Sequence, residues 1–421
     1  MSWESVVLGD VTDTLKGFAF KSTNYSESGI KIVRVSDFTS DSISDIDIKH
    51  YPKDSVDKYQ KYLLKRDDVL IQTVGSWPNN ASSVVGKVVK VPKALDGSLL
   101  NQNIVKIYPK SNQTLDNKFL YYCLKSDSFQ DHNVGNAVGA ANQASITLES
   151  IKTYCFNLPP LSIQRRIADI LSAYDDLIEN NQRQIKLLEE AAMRLYREWF
   201  VFMRFPGHES VRIEDGVPEG WEVKQINDVC LNCASGGTPS RKRREYWADG
   251  SVNWFKTQEL VDSWLFDADE KISEKGLENS SAKLFPENTI VMAIYASPTL
   301  GRLGILTKES TFNQAALGLV ANGDFVSYEW LYLKLLELRD KFNAIASGAG
   351  QQNINVKIVQ TKEIVVPSHD VMGKFTEIIH PYFEKQKNLT EQIIYLQKAR
   401  DALLPRLMNG GEGLKLEGGA V

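Results

Sequence analysis

The residues of this 421-residue chain that could carry out chemistry do not form a familiar catalytic pattern. Cys230 and Cys233 have CxxC spacing, which can bind zinc, but no second Cys or His pair stands at zinc-finger distance from them. The five His residues are scattered, and isolated acidic and Lys residues do not by themselves define a nuclease site. We therefore expect idle or buried thiols and no metal site.

Glycine-rich stretches that could hold a nucleotide also lack the residues that this chemistry requires. GNAVGAANQ and SGAGQQN contain no lysine after the glycines, so neither is a phosphate-binding GxxxxGK[ST] loop. No glycine-rich SAM loop, HExxH string or GxSxG string is present, and the NLPP string at 157–160 has the wrong spacing for a methyltransferase box. The sequence therefore predicts a chain without a catalytic centre.

Composition and charge narrow the class of protein further. The formal net charge is -4 and the pI is about 5.9, which argues against a protein that coats nucleic acid through an overall basic surface. DNA binding through local basic faces remains compatible with this charge if a partner completes the charged surface. The four Cys fit a reducing compartment, and we see neither a signal peptide nor an apolar run of ~20 residues, so we expect a cytoplasmic protein outside membranes.

Two long helices are the elements with the clearest pattern. In each, apolar residues recur every seven positions in two series, over about five heptads. Such a seam needs a partner helix, and each segment is the natural partner of the other. Roughly 35–40 helical residues span about 55–60 Å, which exceeds one turn of DNA. We expect these side chains in the seam: Ile167, Leu171, Tyr174, Ile178, Ile185, Leu188, Leu195, Phe375, Ile379, Tyr382, Leu389, Ile393, Leu396 and Leu403.

Polar residues interrupt both seams. Asn181, Gln386 and Arg400 occupy seam positions, where they either fix the register of the two helices or face solvent because the seam drifts. Pro381 lies inside the second helical pattern and should kink that helix or delay its regular start.

The chain contains an internal repeat. The two helical segments align at a constant offset of 208 positions, as Tyr174 and Tyr382 illustrate. The offset is 218 near the start of the chain, between Trp3 and Trp221, and 212 further on, where Asn101-Gln102 lies opposite Asn313-Gln314. The two copies therefore differ by insertions and deletions in loops. A duplicated unit of this size suggests a pseudo-two-fold molecule that holds two similar modules apart.

A module with mixed secondary structure precedes each helix. Short strand-like runs and one late amphipathic helix indicate an α+β fold with a curved mixed sheet and short helices. We expect a first module at 1–157, a central helix at 158–204, a second module at 205–366, a distal helix at 367–410 and a tail at 411–421. The runs that we expect to be strands are IKIVRV from Ile30, DVLIQTV from Asp68, VVGKVVKV from Val84, NIVKIY from Asn103, WEVKQI from Trp221, VNWFK from Val252, TIVMAI from Thr289 and AALGLV from Ala315.

Several strings in order resemble the specificity (S) subunit of type I restriction-modification systems, over nearly the whole chain. SGGTPSRKRREYW, WFKTQEL, SSAKLFPENTIVMA and TFNQAALGL resemble the family's target recognition domain, and KGFAFKSTNYSESGIKIVRVSDF resembles a common variant of its opening. LPPLSIQRRIADILSAYDDLIENNQRQIKLLEE resembles its conserved helical region, and REWFVFMRFPGH and ALLPRLMNGG resemble the ends of the two helices. The second copy departs from the PPLxxQ helix entry, having Val366-Pro367-Ser368-His369 instead, which puts only local contacts in doubt.

The resemblance implies a non-catalytic subunit with two target recognition domains joined by two long antiparallel coiled-coil helices. Each domain would read one half of an asymmetric bipartite sequence in double-stranded DNA, and the helices would set the unread gap. Two methyltransferase (M) subunits would dock on the helices, and restriction (R) subunits would add ATP-dependent cleavage. SAM, ATP and Mg would belong to these partners and not to this chain.

Reading a base edge requires donors and acceptors on rigid loops, such as Arg or Lys for guanine and Asn or Gln for adenine, whereas phosphate contacts position the protein. Candidates in the first module are Arg34, Ser36, Asp37, Trp77, Asn79, Asn80, Asn142, Gln143 and Ser145. Candidates in the second are Thr238, Ser240, Arg241, Arg243, Lys256, Gln258, Tyr295, Ser297, Thr299, Arg302, Gln351, Gln352 and Asn353.

Each assignment has a simpler structural alternative. The basic run Arg241-Lys242-Arg243-Arg244 could be a solvated surface turn, and most Trp residues belong to the core. The helix charges Arg165, Arg166, Asp175 and Glu179 are either solvated or part of a docking face for the M subunit.

Two other functions compete with DNA reading. A fused methyltransferase-nuclease with its own recognition domains would bind SAM as an isolated chain. A coiled-coil scaffold without a DNA role would show no sequence-dependent retention of DNA, even with its partner present.

Overall fold

The computed structural model describes residues 3–39, 41–45, 47–77, 84–140, 143–295, 299–347 and 353–408. The chain forms two compact units, unit 1 with Met1–Glu179 and Tyr395–Val421, and unit 2 with Asn180–Ile394. Two helices of 40 residues each contribute to both units. None of the described helices is long and apolar enough to cross a membrane.

Unit 1 contains an α+β module followed by the start of the first long helix. Its strands are β1 (Glu4–Val7), β2 (Thr12–Lys16), β3 (Ile30–Val33), β4 (Lys49–Tyr51), β5 (Val69–Gln72), β6 (Val74–Gly75), β7 (Val88–Lys90), β8 (Leu99–Leu100), β9 (Ile104–Pro109), β10 (Val138–Ala140), β11 (Gln143–Ser145) and β12 (Cys155–Leu158). Its helices are α1 (Leu8–Val11), α2 (Asn117–Leu124), α3 (Asp127–Gly135), α4 (Leu148–Lys152) and the first part of α5 (Leu161–Phe200).

Unit 2 repeats this order of elements. Its strands are β13 (Ile213–Glu214), β14 (Val217–Pro218), β15 (Glu222–Gln225), β16 (Cys230–Ser235), β17 (Val252–Phe255), β18 (Ser263–Leu265), β19 (Lys271–Ile272), β20 (Ile290–Ala293), β21 (Leu303–Leu306), β22 (Thr311–Phe312), β23 (Ala316–Ala321) and β24 (Glu363–Val366). Its helices are α6 (Glu274–Glu278), α7 (Tyr328–Ser347), α8 (Val356–Gln360), the rest of α5, and most of α9 (His369–Met408), whose last residues belong to unit 1.

The main sheets of the two units have similar strand orders, with one additional strand in unit 2. Unit 1 has the antiparallel order β2-β9-β5-β7, and unit 2 has β16-β23-β20-β21-β18, in which only the β18–β21 pair is parallel. A smaller sheet in each unit combines one parallel and one antiparallel pair, β4-β3-β8 and β19-β17-β22. The first strand of each module pairs with the strand before its long helix, β1 with β12 and β15 with β24. This structural repeat agrees with the repeat in the sequence.

Close backbone packing recurs at one position of each module. A Cβ atom at Gly17 would collide with the Asn101 carbonyl group, and one at Gly236 would collide with that of Phe312. Only glycine allows two backbone segments to approach this closely. Both glycines follow the first strand of the larger sheet, so the modules share this feature despite different neighbouring sequences.

The two long helices run antiparallel where they meet. In unit 2, the Asn181 side-chain amide donates a hydrogen bond to Gln392 at 3.2 Å, and the Trp199 ring lies 5.7 Å from that of Phe375. In unit 1, Ile167 and Leu171 of α5 share a core with Leu407 of α9. All fourteen side chains that we placed in the seam are buried or half-buried.

The polar seam residues are not in solvent. Asn181, Gln386 and Arg400 are 5%, 7% and 4% exposed. The structure therefore rules out the solvent-facing alternative for all three. Of the two alternatives for Pro381, the delayed start is wrong, because α9 already begins at His369, and the kink stays a prediction.

Burial raises the pKa of both thiols in the CxxC string. Burial, and to a smaller extent Cys233, raises the pKa of Cys230 to about 12. Burial also raises the pKa of Cys233 to about 11, opposed by a hydrogen bond with Gln360. Both pKa values lie above neutral pH, so burial favours the protonated form of both thiols.

Candidate nucleic-acid interface

A short turn after β3 holds three of the candidate residues in unit 1. The Asp37 carboxylate accepts the backbone N–H of Arg34 at 2.8 Å and its guanidinium at 2.7 Å, and thereby caps the turn Val35–Asp37. Asp37 is 5% exposed, whereas Ser36 is exposed and Arg34 is half-buried. Asp37 is thus placed to hold Arg34, and the accessible polar groups are those of Arg34 and Ser36.

The same construction follows β17 in unit 2 with different side chains. The Glu259 carboxylate accepts the backbone N–H of Lys256 at 2.8 Å and caps the turn Thr257–Glu259. The Lys256 ammonium donates to Glu270 at 3.1 Å, and Gln258 is exposed. Burial is the main cause that raises the pKa of Glu259, against the two backbone N–H groups that it accepts.

The basic run of unit 2 is more ordered than a solvated turn. The Arg241 guanidinium lies 3.6 Å from the centre of the Trp247 ring and pairs with Glu270. Arg243 donates to the Tyr246 hydroxyl at 2.7 Å. These contacts fix the direction of two exposed arginines through stacking and hydrogen bonding.

Two further candidates lie beside this run. The Thr238 hydroxyl donates to Gln314, and the exposed Ser240 accepts the Trp247 indole N–H on its carbonyl oxygen at 3.3 Å. Thr238 is half-buried. Their contacts connect the basic run to the loop after β22.

A second group of candidates in unit 1 lies on the three-stranded ribbon β10-β11-β6. The Trp77 indole N–H donates to the Ala140 carbonyl at 3.0 Å, and the Ser145 hydroxyl donates to the Val138 carbonyl at 3.1 Å. Gln143 is exposed and pairs with Ala140 across the ribbon. The candidates Asn79, Asn80 and Asn142 lie outside the described residues.

The corresponding region of unit 2 places Tyr295 beside Asn353. The two residues form an antiparallel bridge, and both side chains are exposed. Thr299 and Arg302 lie nearby in the chain, with the Arg302 N–H donating to the Thr299 carbonyl at 2.9 Å. Both of these side chains are half-buried. The candidates Ser297, Gln351 and Gln352 lie outside the described residues.

Glu270 is the main residue that sequence reasoning missed. Its carboxylate pairs with both Arg241 and Lys256, which join two separate candidate segments. The hydrogen bond from Arg241 is the largest cause that lowers its pKa, against partial burial. Nothing in the string DADEK distinguishes Glu270 from an ordinary surface acid, so no sequence signal could have identified it.

The helix charges do not behave alike. Arg165 and Arg166 are exposed, and Glu179 is half-buried and accepts the Lys93 backbone N–H at 3.2 Å. Asp175 is 7% exposed and ion-paired, so both expectations for it, solvation or a docking face, are wrong. Burial raises the pKa of Asp175. Lys90, Tyr122 and Arg400 together lower this pKa by more than burial raises it, so the net pKa lies below the usual value.

Comparison with known proteins identifies the family. The family described as "Type I restriction modification DNA specificity domain" matches residues 1–190 and 218–396. These two segments cover most of the chain and contain both capped turns and the ribbon of unit 1. The chain therefore belongs to this family of type I restriction-modification specificity subunits, which confirms the resemblance and the fold class inferred from the sequence.

Individual relatives agree with this assignment. The chain is 26% identical over 323 residues to the MjaIX specificity subunit of Methanocaldococcus jannaschii, which covers 74% of this chain and 72% of that one. It is 24% identical over 414 residues to the HindI specificity subunit of Haemophilus influenzae. That alignment covers 83% of this chain and 87% of the relative. The crystal structure of an S subunit from M. genitalium matches with a TM-score of 0.57 at 16% identity, over 97% of this chain and 96% of that one. This last match supports the fold.

Proposed function

We propose that each of the two modules reads one half of an asymmetric bipartite sequence in double-stranded DNA. The observation that carries the proposal is the duplicated turn, in which a strand ends at a basic residue and an acidic residue caps the following turn. The scaffold is the same, but Arg34 and Ser36 in unit 1 stand where Lys256 and Gln258 stand in unit 2. Equivalent scaffolds with different hydrogen-bonding groups suit two different half-sites.

The contacts of the candidates suggest how the work is divided. Ser36, Gln143 and Gln258 are exposed polar groups on ordered backbone, which suits base-edge readout. Arg241 and Arg243 are held by aromatic rings and suit contacts that position the DNA backbone. Asp37 and Glu259 act on DNA only through the basic residues that they hold.

The long helices would set the unread gap between the half-sites. A helix of 40 residues spans about 60 Å at ~1.5 Å per residue, more than the ~34 Å of one DNA turn. Buried polar groups such as Asn181 hold the register of the pair and so keep the gap constant.

The helices also offer a repeated surface for two copies of one partner. Asn180 and Asn388 occupy equivalent positions in the two repeats, have the same side chain and are both exposed. Identical residues on the surface of diverged repeats suit two methyltransferase subunits that dock in the same way. Restriction subunits would join the complex in the cytoplasm and drive ATP-dependent cleavage.

Catalysis would reside in those partners together with SAM, ATP and Mg, and this chain would supply recognition and assembly. The lack of SAM-binding and nuclease motifs in its sequence supports this division of labour against a fused enzyme. The shared family supports it against a scaffold without a DNA role. SAM binding by the isolated chain would favour the enzyme, and the absence of sequence-dependent DNA retention in the complex would favour the scaffold.

A module exchange tests the bipartite assignment. Residues from Trp221 to Ile364 are replaced with the equivalent segment of a relative, and the methylated motif is mapped in cells that also express the M subunit. We expect one half-site to change while the other half-site and the gap stay the same. A change in both half-sites would contradict independent reading by two modules.

A further inference from the structure

A buried ion-pair network lies between the long helices and the module of unit 1. The Arg400 guanidinium of α9 donates to Asp175 of α5 at 2.8 Å and to Asp41 of the module, also at 2.8 Å. Its third nitrogen donates to the neighbouring Asp401 at 2.9 Å. Arg400 is 4% exposed, and each of its three guanidinium nitrogens donates to a carboxylate.

Other elements of the module complete the network. The second oxygen of Asp175 accepts the Lys90 ammonium of β7 at 2.9 Å and the Tyr122 hydroxyl of α2 at 2.6 Å. Asp41 also pairs with Lys125, which caps the end of α2. We name these groups the unit 1 clamp: Asp41, Lys90, Tyr122, Lys125, Asp175, Arg400 and Asp401.

The clamp is attached to the loop that carries the candidate reading residues. Asp41 lies four residues after Asp37, which caps the turn that presents Arg34 and Ser36. The loop is compact, since the Ser44 N–H donates to the Asp37 carbonyl at 2.8 Å and the Ser42 N–H donates to the Thr39 hydroxyl at 2.9 Å. Asp41 and the turn therefore belong to one short hydrogen-bonded segment.

Unit 2 has no such ion pair at the equivalent helix positions. With the repeat offset of 208, Ala192 stands for Arg400 and Phe383 stands for Asp175. Both are buried at 1% exposure, and the Phe383 ring packs 5.7 Å from that of Tyr332. At this pair of helix positions the contacts thus differ in chemistry, ionic in unit 1 and apolar in unit 2.

Buried ion pairs are weak contributors to stability because desolvation offsets the attraction, and their best-supported role is to specify one geometry. The apolar pair in unit 2 shows that the fold does not need charges at this place. The ionic pair in unit 1 therefore calls for a role other than stability.

We propose that Arg400 and Asp41 are positioning residues, which fix the Arg34 turn relative to the helices and so set the fidelity of the half-site read by unit 1. The inference rests on the proposed function, because it assumes that the turn reads DNA. It adds residues on a helix and in a loop that need not touch DNA themselves.

The test uses the full chain in complex with its M subunit and compares methylation of the cognate site with sites that carry one base change. Asp41→Asn removes the charge at the loop end of the clamp. Asp176→Asn is the matched control, since it removes the carboxylate next to Asp175, which pairs with Arg66 and is 56% exposed at its side chain. We expect Asp41→Asn to lower discrimination about tenfold in the unit 1 half-site, because a base mismatch typically costs about 1–3 kcal/mol. The other half-site should stay unchanged, and the control should change neither half-site.

A second variant covers the case in which Asp41→Asn does not fold. Asp175→Phe combined with Arg400→Ala transfers the unit 2 pair into unit 1, and such replacements are often tolerated. We expect a cooperative thermal transition near that of the wild type, with relaxed reading of the unit 1 half-site alone. Arg400→Lys should retain more of the fidelity than this double variant, because it keeps the positive charge but loses the three nitrogens that reach separate carboxylates.

The possible outcomes distinguish a failure of the positioning role from a failure of the proposed function. A wild-type gapped motif with unchanged discrimination in the folded variants would overturn the positioning role alone. An equal loss in both half-sites would also overturn it, because it would indicate general destabilisation. A wild-type complex without any gapped motif would overturn the proposed function and the positioning role with it.

Discussion

At the scale of single residues, an acidic cap decides which neighbouring groups are accessible. From the amino-acid sequence alone, we could not distinguish Arg34, Ser36 and Asp37 as candidates for base readout. The structure separates them, because Asp37 is buried against Arg34 while Ser36 is exposed. The sequence grouped the three residues as candidates, but it could not show the direction of each side chain, which depends on the folded turn.

Gln258 provides a direct test of base readout at this scale. Its side chain is exposed at the tip of the unit 2 turn, so Gln258→Ala should change the free energy of unfolding by no more than about 0.5 kcal/mol. We expect discrimination in one half-site to fall by roughly tenfold or more, since a good bidentate contact is worth about 1–3 kcal/mol. Methylation of sites with single base changes measures this. Gln113→Ala, at an exposed glutamine elsewhere, is the control, and equal effects of the two variants would exclude Gln258 as a reading residue.

Glu270 gives a prediction about pH. Its pKa in the folded chain is lowered below the ordinary value of 4.5, mainly by Arg241. A lowered pKa contributes stability that is present above pH 4.5 and is lost as the pH falls through the folded-state value. Glu270→Gln should therefore be less stable than the wild type at neutral pH, and the difference should shrink below about pH 4.5. Urea unfolding at several pH values checks this, and a difference that grows on acidification would contradict it.

At the scale of elements, patterns with strong periodicity were predictable and isolated short strands were not. All eight runs that we expected to be strands contain one, including β5 and β20, which are buried along their whole length. We missed β21, whose sequence LGIL is short and interrupted by glycine. It is a strand because it pairs with the preceding strand β20 and with β18, which lies further away in the chain.

The heptad pattern predicted the two long helices, but it did not predict the environment of their polar residues. Arg400 occupies a seam position in the heptad pattern and is buried in the structure. Only the structure shows that Asp41, from a loop more than 350 positions away, neutralises it. Non-local partners of this kind leave no periodic signal in the sequence.

Lengthening the helix pair tests its role as a spacer. One helical turn of about four residues is inserted after Leu188, with a matching turn in the part of α9 next to Gln386. Both sites lie in unit 2, where Glu189 and Gln386 line the same cavity. We expect the unread gap to grow by about one to two base pairs, because a turn adds about 6 Å and each base pair about 3.4 Å. Mapping of the methylated motif measures the gap, and altered half-site sequences would contradict the spacer role.

At the scale of the whole molecule, duplication explains both the likeness and the differences of the two units. The same strand orders and capped turns occur twice, while the reading side chains and the attachment to the helices have diverged. The sequence predicted the duplication and the fold class. It did not predict the unequal attachment, because that became visible only when equivalent positions were compared in their environments.

The repeated helix surface makes a prediction about stoichiometry. Asn180→Arg and Asn388→Arg each place a bulky charge on one of two equivalent exposed positions. We expect each single variant to bind one M subunit and the double variant to bind neither with wild-type affinity, without loss of folding. Native mass spectrometry of the complexes counts the subunits. Two M subunits bound to the double variant would show that docking uses another surface.

The most direct test of sequence-specific DNA reading is a methylation map of host DNA by long-read sequencing. The chain is co-expressed with its M subunit, and the M subunit alone is the control. We predict a new gapped, asymmetric motif with methylated adenine, which appears only when this chain is present. A soluble complex that forms without any new motif would contradict the account.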